Sequence, residues 1–202
     1  MSYNNQIAPS ISSPTGIDEA IESIRLSLSV LPWLERSFGR AWEFKETLGN
    51  GKISRVPKVF IGKNDSGEGE YYNVLPNDNF KAQSFIAVRG PEQWEEFNRF
   101  GGNMKVRELS VIFWVNLKQI NPARDYIFID ELKTQVEQIL KTHPSIKSLD
   151  KYYDERAESI FDGYDVNAEY GRYSLDDSKS QLLMYPYAGM RFDLTINYPE
   201  VC

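Results

Sequence analysis

The stretch Gly189–Tyr198, GMRFDLTINY, alternates strictly in side-chain character. Met190, Phe192, Leu194, Ile196 and Tyr198 share one parity, and Arg191, Asp193, Thr195 and Asn197 share the other. Successive side chains of a strand point to opposite faces, so this pattern describes a strand with one buried and one polar face. The apolar row needs a layer above it. The stripe Ile129, Leu132, Val136 and Ile139, at helical spacing, supplies one. The polar row is then expected to face water, a channel or a neighbouring subunit.

Working outward, VRELSVIFWVNL (106–117) is the strongest strand in the chain. Leu109, Val111, Phe113, Val115 and Leu117 face one way, while Ile112 and Trp114 are apolar on the other, which predicts a central position covered on both sides. Before it, Ile17, Ala20, Ile21, Ile24, Leu28 and Leu31 follow helical spacing up to Pro32, with Thr15 and Asp18 placed as a variant capping box. After it, Asp125 is placed to cap a second helix that ends before Pro144. Residues 56–75 predict a hairpin whose tip is the polar KNDSGEGE, and QSFIAV (83–88) predicts a further strand. LPWLERSFGRAWEF (31–44) reads as a short helix or turn, and PEQWEEFNRFGG (91–102) as a short helix or long loop turn. Residues 144–181 are polar and turn-rich, with short candidate strands at SIFDGYDV and AEYGRY. The expected class is α+β: a mainly antiparallel sheet with two principal helices packed on one face. The expected organisation is a polar arm over 1–14 and one domain over 15–202, with insertions near 63–70, 90–104 and 144–181.

The chain has 202 residues, 41% of them hydrophobic, which suffices for one sizeable core. The aromatic share of 13% tilts toward assembly, because Tyr and Trp serve interfaces as well as cores. A net charge of −6 argues against a surface that grips nucleic acid by neutralising phosphates. Most of that charge lies in 150–179, where nine acids oppose four bases. Cys202 is the sole cysteine, which excludes an intramolecular disulfide or a thiolate metal cluster and points to a reducing compartment. The N-terminal residues lack the charge and apolar pattern of a signal peptide, and no apolar run reaches membrane-spanning length.

Chemical motifs are few. GNGKIS (49–54) is like the end of a phosphate-binding loop, but Glu46 stands where the first glycine belongs and Ile53 follows Lys52. A plain turn is expected there. His143 is the only histidine and falls at a helix C-terminus, where imidazole commonly meets the last carbonyls. Asp162, Asp165, Asp176 and Asp177 could hold a hard cation or act as paired carboxylates, yet their spacing does not match a calcium loop. Asn64-Asp65-Ser66 is a glycosylation sequon in form only. Trp33, Phe38 and Trp42 lie at near-helical spacing and suit either core packing or an inter-subunit contact. No catalytic constellation and no cofactor site is expected.

The helix GIDEAIESIRLSLSVLPWLE, the strand KVRELSVIFWVNL, the helix IDELKTQVEQILKTHP and the closing RFDLTINY together resemble the tail-terminator and tail-completion (neck ring) proteins of tailed bacteriophages. The aromatic and acidic texture is similar to neck or tail-ring proteins of crAss-like and other Bacteroidetes phages. The resemblance implies a non-enzymatic virion protein, made in the host cytoplasm, that forms a homo-oligomeric ring between portal or connector and tail. DNA would pass through its channel without sequence-specific binding. Trp33, Phe38, Trp42, Trp94, Phe97 and Phe100 are then expected at assembly contacts. Asp162, Asp165, Asp176, Asp177, Arg191 and Asp193 are expected to face the channel or a partner. Two other readings are a cytoplasmic adaptor using the same aromatic surface and a metal-dependent hydrolase using the acidic loops.

Overall fold

The fold was obtained as a computed structural model and describes residues 11, 13–47, 51, 53–76, 79–96, 103–164 and 183–199. In chain order the elements are α1 (Ile17–Leu28), β1 (Arg36–Thr47), β2 (Ile53–Lys63), β3 (Gly69–Asn73), β4 (Ala82–Glu96), β5 (Asn103–Asn116), α2 (Leu117–Ile120), α3 (Ile129–Thr142), β6 (Ile146–Tyr153), α4 (Ala157–Ile160) and β7 (Tyr187–Pro199). The strands form one seven-stranded sheet in the order β3-β2-β1-β4-β5-β7-β6. Every neighbouring pair is antiparallel except β1 with β4, which is parallel. The class is therefore α+β with a mainly antiparallel sheet, and β5 sits between β4 and β7 as its two-sided apolar pattern requires.

One face of the sheet buries Leu109, Val111, Phe113 and Val115 of β5 and Met190, Phe192, Leu194, Ile196 and Tyr198 of β7 beneath α1 and α3. The helices contribute Ile21, Ile24 and Leu28 from α1 and Leu132, Val136 and Leu140 from α3. The other face buries Phe85, Ile112 and Trp114 beneath α4 and its flank, with Val74 and Leu75 in the same cluster. Val74 and Leu75 lie on the connection that carries the chain from β3 to β4. Gln83 Nε2 donates to the carbonyls of Val74 at 2.9 Å and Leu75 at 3.1 Å, which satisfies buried backbone acceptors at that crossing.

Several segments differ from the sequence-based expectation, each for a local reason. The aromatic stretch around Phe38 and Trp42 is strand β1, with no helix. Its register against β4 shifts between Ser37 and Arg40, so the alternation is broken and the aromatic spacing imitates a helical period. Gln93–Glu96 also extends β4. A register shift between Arg89 and Gln93, with Gly90 at φ 53°, admits Pro91, which cannot donate to a ladder. The insertion near 90–104 is thus largely the long β4–β5 hairpin, and the one near 63–70 is the turn joining β2 to β3. Edge strand β6 was hidden because two register shifts against β7 break its period. SIFDGYDV contributes α4 and a turn up to Tyr164, while its remainder and all of AEYGRY lie outside the described residues.

The caps differ too. Gly16, at φ 58°, is the N-cap of α1; the Thr15 carbonyl accepts from the Asp18 amide at 3.2 Å and no side chain caps the helix. α3 begins at Ile129 with buried Phe128 at its N-cap, and Asp125 instead pairs with Lys118.

At Gly189 of β7, Ile160 of α4 packs directly against the strand backbone. A Cβ there would lie 3.2 Å from Ile160 Cδ1, 3.3 Å from Ile160 Cγ2 and 3.4 Å from Leu183 Cδ2. Ile160 is fully buried, so it has little room to move. Gly189→Ala should destabilise the chain by about 1–3 kcal/mol through overpacking. The check is the denaturant midpoint together with amide exchange across 157–164. An unchanged midpoint and unchanged exchange would show that α4 does not press on this strand.

Candidate functional site

Two residues of the polar row of β7, Arg191 and Asp193, turn to partners within the chain. Arg191 and Asp193 stand two residues apart on the face away from α1 and α3, and the β5–β7 register sets Ser110 opposite Asp193. On β4, Ala87 pairs with Ser110, so Arg89 is its diagonal neighbour on the same face. These positions converge. Arg191 Nε donates to Asp193 Oδ1 at 2.7 Å and its Nη2 to Asp193 Oδ2 at 2.9 Å, a two-point fork. Ser110 Oγ donates to Asp193 Oδ1 at 2.6 Å and accepts from Arg89 Nε at 3.0 Å.

The same guanidinium groups hold the segment around α4. Arg191 Nη1 donates to the Ser159 carbonyl at 2.8 Å and lies 3.3 Å from Asp162 Oδ2, while Arg89 Nη2 donates to the Asp162 carbonyl at 3.1 Å. Burial pushes Arg191 toward a lower pKa, but its bond to Asp193 and the charges of Asp193 and Asp162 outweigh that and hold it above the ordinary guanidine value. Chemically the network is closed. Ser110 is fully buried, and its hydroxyl is engaged by a carboxylate and a guanidinium with no imidazole beside it. His143 is committed elsewhere: its Nδ1 accepts from the Ser145 amide at 3.2 Å, so Nε2 donates to Ser23 Oγ at 3.1 Å. Among the described residues, no group of three or more His, Cys, Asp or Glu could hold a metal ion.

The residues singled out from sequence divide accordingly. Trp33 and Phe38 are core residues. Trp33 Nε1 donates to Gln135 Oε1 at 3.0 Å, and Phe38 stacks on Tyr72 with ring centroids 5.5 Å apart. Both are buried because each faces a core layer, so neither offers an outer surface. Arg191 is a correction of the same kind: it is 7% exposed and spent on internal partners. Asp193 turns its carboxylate into the same network, and Asp162 is exposed at its margin. Trp42 and Trp94 are exposed, at 41% and 66%. Phe97, Phe100, Asp165, Asp176 and Asp177 lie outside the described residues. Sequence reasoning missed Arg89 and Ser110. The polar Ser110 inside an apolar run was the available signal, but its partner depends on strand register.

Two exposed apolar surfaces lie at opposite ends of the sheet. At one end the β4–β5 hairpin runs out to Glu96 opposite Asn103 and presents Trp94, with Lys105 Nζ 5.7 Å from its ring centroid. Its base is held by Glu92, which bonds Lys105 at 2.9 Å and accepts from the Tyr198 hydroxyl. That hydroxyl, then Lys105, lowers the Glu92 pKa. At the other end, beyond the pair Asn116–Tyr187, Tyr126, Ile127, Met184 and Tyr185 are exposed. The Tyr185 hydroxyl donates to the Arg124 carbonyl at 2.8 Å and joins the two loops that carry this patch. No helix among the described residues is long and apolar enough to cross a membrane.

No protein-family model matches the chain, and no curated protein matches its sequence.

Removing Asp193 should leave Arg191 buried without its fork partner. Asp193→Ala is expected to cost about 3 kcal/mol, read as a shift of the urea midpoint, with faster amide exchange in 157–164. A loss below about 0.5 kcal/mol would show that the network does not fasten this segment.

His143 gives a pH signature. Burial holds its pKa below the ordinary imidazole value, with Ser23 partly offsetting the effect. Below about pH 6.5 the unfolded chain therefore binds a proton that the folded chain does not. Stability should fall as pH drops below that point and level off only beneath the lowered folded value. His143→Gln should remove this component of the urea midpoint between about pH 7 and about pH 5. Parallel profiles for the two proteins would rule it out.

Proposed function

We propose that the chain is a structural subunit of a phage virion: a ring-forming tail-terminator or neck protein that joins portal or connector to tail and works without catalysis. The observation that carries the reading is the placement of two dissimilar apolar surfaces, the Trp94 hairpin and the Tyr126–Ile127–Met184–Tyr185 patch, at opposite ends of one sheet. A closed ring uses heterologous contacts, so each subunit must offer two different surfaces that complement each other. An exposed tryptophan on a projecting hairpin is the kind of anchor that dominates an interface. The inward commitment of Arg89, Ser110, Arg191 and Asp193 supports a scaffold role over a reactive one.

The acidic stretch fits a channel wall. Among its described residues Asp150, Glu155, Glu158 and Asp162 are exposed, and acidic surfaces deny DNA the counterion-release gain that drives binding. DNA could then slide past without adhering.

Native mass spectrometry at micromolar concentration tests the reading. The expected result is a ring of one fixed copy number, alone or with portal and tail partners. Trp94→Ala should weaken assembly by about 2 kcal/mol, roughly thirty-fold in the dissociation constant, with the urea midpoint of the dissociated subunit unchanged. A chain that stays monomeric with those partners and binds one unrelated protein would instead make it an adaptor.

A further inference from the structure

The base of the β4–β5 hairpin holds a cation that the chain leaves unpaired. Lys105 and Arg107 are two residues apart on β5, and the register sets them opposite Tyr198 and Ile196, which face α1 and α3. Both therefore share a face with Trp94, the cross-strand neighbour of Lys105. Glu92 bonds Lys105 at 2.9 Å and accepts from the Tyr198 hydroxyl. It feels the Arg107 charge, but its bonds go to the other two. Arg107 is half-buried, its Nε is buried with no hydrogen-bond partner, and no ion pair among the described residues includes it. Such a guanidinium has lost water without gaining a bond, and a carboxylate from outside the subunit would remove that cost.

The opposite end of the sheet offers one. Asp125 precedes Tyr126 and Ile127, and its side chain is 84% exposed. Its partner Lys118 is itself 44% exposed. An open pair of this kind contributes little stability, so Asp125 can exchange it for a better-enclosed cation at small cost. Each surface has what the other lacks. One carries an exposed tryptophan and an unpaired cation; the other carries exposed apolar side chains with an exposed carboxylate beside them.

We propose that these two surfaces are partners between copies of this chain: Trp94 of one copy seats on Tyr126, Ile127, Met184 and Tyr185 of the next, and Arg107 takes the next copy's Asp125. This contact presupposes the ring reading and specifies which surface meets which and which charge pair sets the register. The spacings match. Trp94 and Arg107 are diagonal neighbours, about 7–8 Å apart, and Asp125 to Ile127 spans up to about 7 Å. Because the surfaces differ and lie at opposite ends, the contact is heterologous and repeats from copy to copy. Tryptophan and arginine are also the residue types that most often anchor an interface.

The test compares the full wild-type chain with its variants by native mass spectrometry and sedimentation. Arg107→Glu and Asp125→Arg should each raise the dissociation constant of assembly about thirty-fold, and the double variant should return it to within about three-fold of wild type. Recovery on double reversal is specific to a direct pair, since independent losses would add. An assembling wild type whose single variants assemble equally well, or whose double variant does not recover, overturns this pairing and leaves the ring reading standing. A wild type that stays monomeric with portal and tail partners removes both. If Arg107→Glu does not fold, read as a missing urea transition, a cross-link decides. With Cys202→Ser in place, Trp94→Cys combined with Tyr126→Cys should form disulfides between chains under mild oxidation, whereas Trp94→Cys with Tyr71→Cys should not. Linking no better than that control would overturn the proposal.

Discussion

The double-sided burial of β5 is the constraint on which the rest of the structure depends. Leu109, Val111, Phe113 and Val115 point to one layer and Ile112 and Trp114 to the other, all nearly inaccessible to water. A strand buried on both faces must lie inside a sheet, with a hydrogen-bonded neighbour on each side and an apolar layer above and below. β4 and β7 are those neighbours, α1 and α3 form one layer, and α4 with the β3–β4 connection forms the other. At about 25 cal/mol per Å² of apolar surface, burial of this kind is the dominant favourable term in the fold.

The second layer is thin, and this explains the ionic network. α4 has only one turn and contributes few apolar side chains, with Ala157, Ile160 and Phe161 buried. Arg89 and Arg191 bridge from the sheet to the carbonyls of Ser159 and Asp162, and Asp193 with Ser110 satisfies the guanidinium groups at the strand end of the same contact. Charge-assisted bonds thus hold a segment too short to be held by packing alone. Those side chains are thereby withdrawn from the surface. The large aromatic side chains left exposed among the described residues are Trp42, Tyr71, Trp94, Tyr126 and Tyr185.

Much of the framework was legible in the amino-acid order. The alternation of Met190 to Tyr198, the two-sided run of β5 and the helical stripes of α1 and α3 each carry a periodicity that only one kind of element satisfies. Their packing together followed from complementary apolar faces. Elements with broken periods were not legible. β1, the outer part of β4, and β6 each contain a register shift, and one extra residue inverts the apparent face of everything after it. The candidate site was only partly readable, because Arg191, Asp193 and Ser110 look like solvent-facing residues until register sets them against one another.

The sequence by itself determined the fold class, the central strand and the face on which the two main helices lie, since these depend on local periodicity and on the need to bury apolar stripes. Only the tertiary structure decided which polar and aromatic residues reach the surface. That choice depends on what lies across the sheet from each side chain. Trp33 and Phe38 met core layers and Arg191 met Asp193 and α4, while Trp42 and Trp94 met no comparable cover.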